Sequence, residues 1–207
     1  MRLLLVRHGP TDWNVAHRFQ GQADMPLNDA GHQQAEALAK RLAGESIHAI
    51  YTSDLQRAQQ TAQTIATIAA LHGCAVIPEP RLRELSFGTW EGLTYDEIGQ
   101  RDSAALKKWE TNLRNVAPPG GESLILAIER VHPLLQEIQR RNKDKTVLVV
   151  AHGGPLQILL CLALGLSPDK HWQFALAPAL VSEVLFYPAG AMVNLLNDRS
   201  HLTGASL

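Results

Sequence analysis

An α/β fold built on a central, mostly parallel sheet is predicted by two features of the chain. Apolar runs without polar alternation, Leu3-Leu4-Leu5-Val6 and Val147 to Ala151, suit strands buried on both faces. Strand and helix signals then alternate along most of the sequence, as in βαβ units. Each of the two runs ends in His-Gly, at His8-Gly9 and His152-Gly153. Ligands of such sheets bind outside the carboxyl ends of the strands. Two imidazoles are therefore expected at one edge of one sheet.

The elements follow in order. After the first strand comes a polar loop, Gly9 to Leu27, holding Trp13, Asn14, Phe19, Gln20 and Gly21. Asn28 is placed to cap a helix whose apolar positions Ala35, Leu38, Ala39 and Leu42 share one face, with Gly44 at its end. A short strand is expected at Ala49–Thr52, and Ser53 is expected to cap a helix running to about Leu71. Ala75–Ile77 reads as another strand. From Arg81 to Gly121 the alternation stops: Trp90, Trp109, glycine turns and two short helical patterns read as a small lid over the sheet edge. Ser123 is expected to cap a long helix with Leu124, Ile128, Val131, Leu135 and Ile138 on one face. Pro133 should kink or shorten it. Pro155 fits the first turn of a helix from Leu156 to Leu164, apolar nearly all round. Val181–Tyr187 and Met192–Leu196 read as final strands.

Length and composition bound the function. The 207 residues suffice for one large domain, and 45% hydrophobic with 19% charged residues is ordinary globular usage. A net charge of -1 argues against a nucleic-acid or membrane partner, so any anion site must be local. Cys74 and Cys161 make no CxxC and fit buried thiols in a reducing compartment. The N-terminal apolar run is too short for a signal peptide, and Leu156–Leu166 is too short to span a bilayer. These features read as a cytoplasmic protein.

Four side chains converge in this scheme. Arg7 and His8 follow the first strand, His152 follows the fourth, and Arg57 lies early in the helix after Ser53. A helix start favours an anion through its free N–H groups and dipole. Two guanidiniums and two imidazoles around one point match the outer oxygens of a phosphoryl group. A metal centre is disfavoured, since there is no HExxH and no carboxylate cluster beside either His-Gly.

Five segments in order carry a resemblance over almost the whole chain. They are Arg7-His8-Gly9, Ser53 to Ala58 with Thr61-Ala62, Arg83-Glu84-Leu85 before Phe87 to Gly92, Gly120 to Ser123, and Ala151-His152-Gly153. The chain resembles the histidine phosphatase (phosphoglycerate mutase-like) superfamily, in pattern nearest its α-ribazole phosphatase and broad-specificity members. The resemblance implies a three-layer sandwich with helices on both sheet faces, a single domain over 1–207 and a lid-like insertion at 81–121. It implies hydrolysis of a small phosphomonoester through a phosphohistidine, with no metal or cofactor, and is compatible with a homodimer.

The resemblance also implies roles. His8 would be the nucleophile, and Arg7, Arg57 and His152 would hold the phosphoryl oxygens. Glu84 would protonate the leaving oxygen and then activate water. Glu79 and Glu91 compete for that acid's role, although Glu91 fits better as the start of the lid helix. Asn14, Gln20, Gly21 and the Gly153 backbone match substrate-contacting positions. His201 either reaches back to the substrate or is an ordinary tail residue. The histidines His17, His32, His48, His72, His132 and His171 read mainly as surface residues, and the tryptophans as lid core with Trp13 near the pocket mouth. Related mutases carry a longer, basic insertion before the Gly-Glu-Ser helix, and the short stretch here favours hydrolysis. α-Ribazole 5'-phosphate and phosphoserine are both compatible with the C-terminal Leu196 to Leu202, and mutase activity is the alternative reaction. Pro10 departs from the family pattern, where an acidic residue usually follows. A phosphate-binding regulatory protein without catalysis is the other class, disfavoured because nucleophile and acid are both present.

Overall fold

The computed structural model describes residues 1–71 and 73–202, so His72 lies outside the described residues. The strands are β1 (Arg2–Arg7), β2 (Ala49–Thr52), β3 (Val76–Pro78), β4 (Thr146–Ala151), β5 (Val181–Tyr187) and β6 (Gly190–Asp198). They form one six-stranded sheet in the order β3-β2-β4-β1-β5-β6. β1 to β4 are parallel, and β5 runs against both of its neighbours. The two His-Gly strands lie side by side. Their register pairs Arg7 with Ala151, and His8 N donates to Ala151 O, so His8 and His152 leave the sheet together.

Side-chain alternation along the strands builds the three layers. Leu3, Leu5, Val147 and Val149 point to one face, packed with Leu124, Val131, Leu135, Ile138, Leu156 and Leu159 from α5 (Leu124–Arg141) and α6 (Gly153–Ala163). Leu4, Val6, Leu148 and Val150 point to the other, against Leu38, Leu42, Ala58 and Ile65 from α2 (Asp29–Leu42) and α3 (Gln56–Ile68). Strands apolar at every position are thus covered on both sides.

Several elements depart from the sequence reading. A short helix α1 (Asp12–Val15), capped reciprocally by Thr11 and Asn14, interrupts the loop after β1. Ser53 does not cap α3; its backbone still bonds to Val150 of β4, and Asp24, distant in sequence, accepts from Gln56 N instead. The helix ends at Ile68, not Leu71, and β3 lies one residue later than expected. α5 runs continuously through Pro133. Glu129, whose carbonyl loses its helical donor, is exposed to water, while Val131, Leu134 and Leu135 anchor the buried face. Ser123 is the N-cap, although its side chain makes no capping bond. Cys161 is buried and Cys74 half-buried; both are free thiols.

The two lid patterns form one element, α4 (Tyr95–Thr111), broken at Asp102. Glu91 does not begin it: Thr94 is the cap, and Glu91 lies in the preceding turn. Trp90, Ile98 and Leu106 form a small core of their own, with Phe87, Trp109 and Phe19. Phe19 comes from the loop after β1, which is tied in by Arg18–Glu97 and by reciprocal backbone bonds at Phe19–Leu93 and Gly92–Phe19. The cover therefore has two strands of sequence, not one. Trp172 belongs to neither cluster and is 68% exposed. No helix among the described residues is long and apolar enough to cross a membrane.

Leu38 is fully buried between α2 and the sheet. Leu38→Ala is expected to lower stability by about 2–5 kcal/mol, read by urea unfolding, with the site geometry intact.

Candidate active site

The carboxyl edge of β1, β4 and β2 gathers the expected side chains. The His8 and His152 rings stand 5.0 Å apart between centroids, tilted by 59°. Both are buried, as is Arg57. A cavity of about 480 Å³ opens beside them, lined by Arg7, His8, Arg57 and Glu84 from the sheet side. Trp13, Asn14, His17, Arg18, Phe19, Gln20, Gly21, Phe87 and Pro178 line its mouth and wall.

The hydrogen bonds assign the protons. His8 Nδ1 lies 2.7 Å from Gly9 O, and a carbonyl only accepts. Nδ1 therefore carries the hydrogen, and the free lone pair of neutral His8 is on Nε2. Burial pushes this imidazole well below its ordinary value of 6.5, reinforced by the Arg7 and Arg57 cations and opposed by the Gly9 carbonyl. Burial lowers His152 in the same direction, again helped by Arg57. Gly9 N donates to Thr61 Oγ1, which itself donates to Arg57 O, so α3 fixes the turn that carries His8.

The two guanidiniums bond to neutral groups. Arg57 donates from Nη1 to Ala23 O and from Nη2 to Gly21 O, both at 2.7 Å. It also donates from Nε to His152 Nδ1 at 3.2 Å. Arg7 Nη1 donates to Leu176 O, and its buried Nε has no partner. Burial lowers Arg57 to about 10 and lowers Arg7 as well, while the nearby Glu84 charge opposes both shifts. Gln20 Oε1 is also buried without a partner. Unused donors on two buried cations make an anion site. The N-terminus of α3 does not contribute as expected, because Asp24 already occupies it.

Glu84 lines the same cavity. Its Oε1 accepts from Gly154 N at 3.1 Å and from Leu85 N at 3.0 Å. The segment carrying it is clamped from behind. Arg83 pairs with Asp54, and Arg130 donates to the carbonyls of Arg81 and Glu84 while holding Glu122. The competing acids are engaged elsewhere. Glu79 caps its own turn and pairs with Arg81, and Glu91 Oε1 accepts from Gln22 N and Phe87 N.

The remaining expected residues divide. Trp13, Gln20, Gly21 and Asn14 line the cavity, although Asn14 Oδ1 accepts from Thr11 N. Gly153 adjoins Glu84 and Arg7. His201 is not brought to the cavity; its Nε2 bonds to Ala179 O beside Lys40 and Arg41. His171 is buried rather than superficial. The sequence reading assigned no role to Gly154 or Arg130; His17, expected at the surface, lines the cavity, and Glu91, expected as a competing acid or a helix start, holds a loop. Gly154 and Glu91 have a detectable signal only in the glycines and acids of the motifs. A Cβ on Gly154 would meet Glu84 Oε1 at 2.5 Å, and one on Gly21, where φ is +52°, would meet Glu91 Oε1 at 2.1 Å.

The chain belongs to the histidine phosphatase superfamily (branch 1), whose family model matches residues 3–199. It is 34% identical to phosphoserine phosphatase 1 of Hydrogenobacter thermophilus, across 98% of this chain and 94% of that protein. It is 41% identical to phosphoglycerate mutase-like protein 4 of Arabidopsis thaliana, across 76% and 68% respectively. The crystal structure of an α-ribazole phosphatase from Shigella flexneri superimposes with a TM-score of 0.89 at 29% identity, covering 96% of this chain and 97% of that one. The protein is a phosphatase.

Two outcomes follow from this geometry. Gly154→Ala is expected to displace Glu84 and cut kcat about 10²-fold or more if that carboxyl transfers protons. Phosphate release assays against wild type read the loss. The second concerns pH. Folded His8 and His152 hold a proton more weakly than in the unfolded chain, so unfolding takes up protons below about 6.5. Their contribution is complete above that value and is lost as the pH falls. Thermal melting should therefore drop below pH 6.5, less steeply in His8→Asn.

Proposed function

We propose that the protein hydrolyses a small phosphomonoester through a phosphohistidine on Nε2 of His8. The observation that carries this reading is the His8–Gly9 carbonyl bond, which leaves the Nε2 lone pair free beside the half-buried Arg7 and buried Arg57 guanidiniums. In the first step Nε2 attacks phosphorus, the bond to the alcohol oxygen breaks, and protonated Glu84 gives that oxygen its proton. In the second, Glu84 takes a proton from water as the water attacks the phosphohistidine, and phosphate leaves. Arg7 and Arg57 hold the phosphoryl oxygens and offset their charge, with His152 beside them, so the step needs no metal. Asn14, Gln20, Gly21 and the Gly153 backbone complete the substrate contacts. Residues 1–207 act as one domain, with 81–121 as an inserted cover, in the cytoplasm.

For the substrate we favour α-ribazole 5'-phosphate, the alcohol half of which is large and planar. The aromatic mouth of Trp13, Phe19 and Phe87 supports that choice. Phosphoserine is the second reading, supported by the similarity to a phosphoserine phosphatase along nearly the whole chain.

Wild type should hydrolyse p-nitrophenyl phosphate in the presence of chelator. His8→Ala should be inactive, and Glu84→Gln should lose about 10²–10⁴-fold. An active His8→Ala would falsify the mechanism. A panel of α-ribazole 5'-phosphate, phosphoserine, phosphoglycerates and sugar phosphates, ranked by kcat/KM, should place the first highest. Isomerisation of 3-phosphoglycerate faster than phosphate release, with a bisphosphoglycerate primer, would instead establish a mutase.

A further inference from the structure

We propose that Ser53 is a positioning residue, which orients the Arg57 guanidinium through His152. The proposal rests on the reading above that Arg57 holds phosphoryl oxygens. An arginine only donates, so Arg57 Nε, 3.2 Å from His152 Nδ1, requires a lone pair on that nitrogen. Neutral imidazole then carries its hydrogen on Nε2, which lies 2.8 Å from Ser53 Oγ. The serine oxygen is the acceptor. Ser53 is itself held in place, with its N donating to Val150 O and its Oγ accepting from Leu55 N at 3.3 Å. Ser53, His152 and Arg57 are each 0% exposed, so water does not compete for these bonds.

This relay settles how the cation meets its anion. Nε is directed to His152, and one hydrogen each of Nη1 and Nη2 to Ala23 O and Gly21 O. The guanidinium plane then has a single orientation, with one N–H on each terminal nitrogen left over. His152 is accordingly a neutral acceptor toward Arg57. Burial, which lowers the imidazole, favours the same state. Without the serine hydroxyl, Nε2–H loses its buried acceptor, and the ring turns to find another. A turned ring takes the Nδ1 lone pair away from Arg57 Nε–H. The guanidinium must turn.

Long-range ¹H–¹⁵N NMR on the full chain without ligand reads each imidazole tautomer, with His152→Gln identifying the signal. Wild-type His152 is expected in the Nε2–H form. In Ser53→Ala the Nδ1 resonance should move toward that of a nitrogen receiving no hydrogen bond, with orthovanadate binding and kcat/KM for p-nitrophenyl phosphate each weakened about tenfold, the scale of one buried hydrogen bond. Ser53→Cys, with a weakly accepting sulfur, should fall between. A wild-type Nδ1–H tautomer overturns the proposal, whether or not the variants fold. So does a Ser53→Ala protein that loses activity while His152 Nδ1 keeps its wild-type resonance, since that loss is merely structural. If wild type neither binds vanadate nor hydrolyses the ester, the functional reading fails, and the tautomer is still read independently.

Discussion

Two guanidiniums taken out of water govern this sheet edge. Burying a cation is costly unless it is paired or hydrogen-bonded. Here Arg7 and Arg57 bond to the carbonyls of Leu176, Ala23 and Gly21 and to one imidazole, which satisfy donors without cancelling charge. Burial keeps His8 and His152 neutral, the remaining positive field favours the same state, and N–H groups are left for an anion. Neutral imidazoles and unused cationic donors are therefore produced at the same sheet edge.

That charge places demands on the rest of the chain. The loop after β1 must bring Gly21 and Ala23 to Arg57, and Glu91 holds this loop by accepting from Gln22 N. Asp24 in the same loop caps α3, so the helix that carries Arg57 and the loop that solvates it stabilise each other. On the far side, Asp54 in the turn before α3 pairs with Arg83, and Arg130 of α5 pairs with Glu122, fixing the segment of Glu84. These pairs are partly buried and bidentate, which favours a defined geometry over mere attraction.

The members of the family matched here bear names that differ in substrate, and the layout shows where such differences can arise. The inner end of the cavity is built from Arg7 and His8 at the end of β1 and from Arg57 on α3. The mouth is built from Trp13, His17, Phe19 and Phe87, on the loop after β1 and on the cover. Side chains at that mouth lie outside the sheet, on elements that can vary while its strands are kept.

Much of this was legible from the residues alone. The strands at Ala49–Thr52 and after Thr146, the Asn28 cap and the buried face of α2 depend on local periodicity and capping. The ordered motifs named Arg7, His8, Arg57, Glu84 and His152, and strand ends at one sheet edge brought them together. What local pattern could not carry was any bond between distant segments. Asp24 displaced Ser53 as the cap, Ser53 turned to His152, Phe19 joined the cover, Glu91 became a loop pin, and His201 went to Ala179. Sequence by itself determined which groups are present and which strand ends bear them, because both follow from neighbours in the chain. Only the tertiary structure decided their protons and orientations, because hydrogen-bond partners and burial are set by residues far away in sequence.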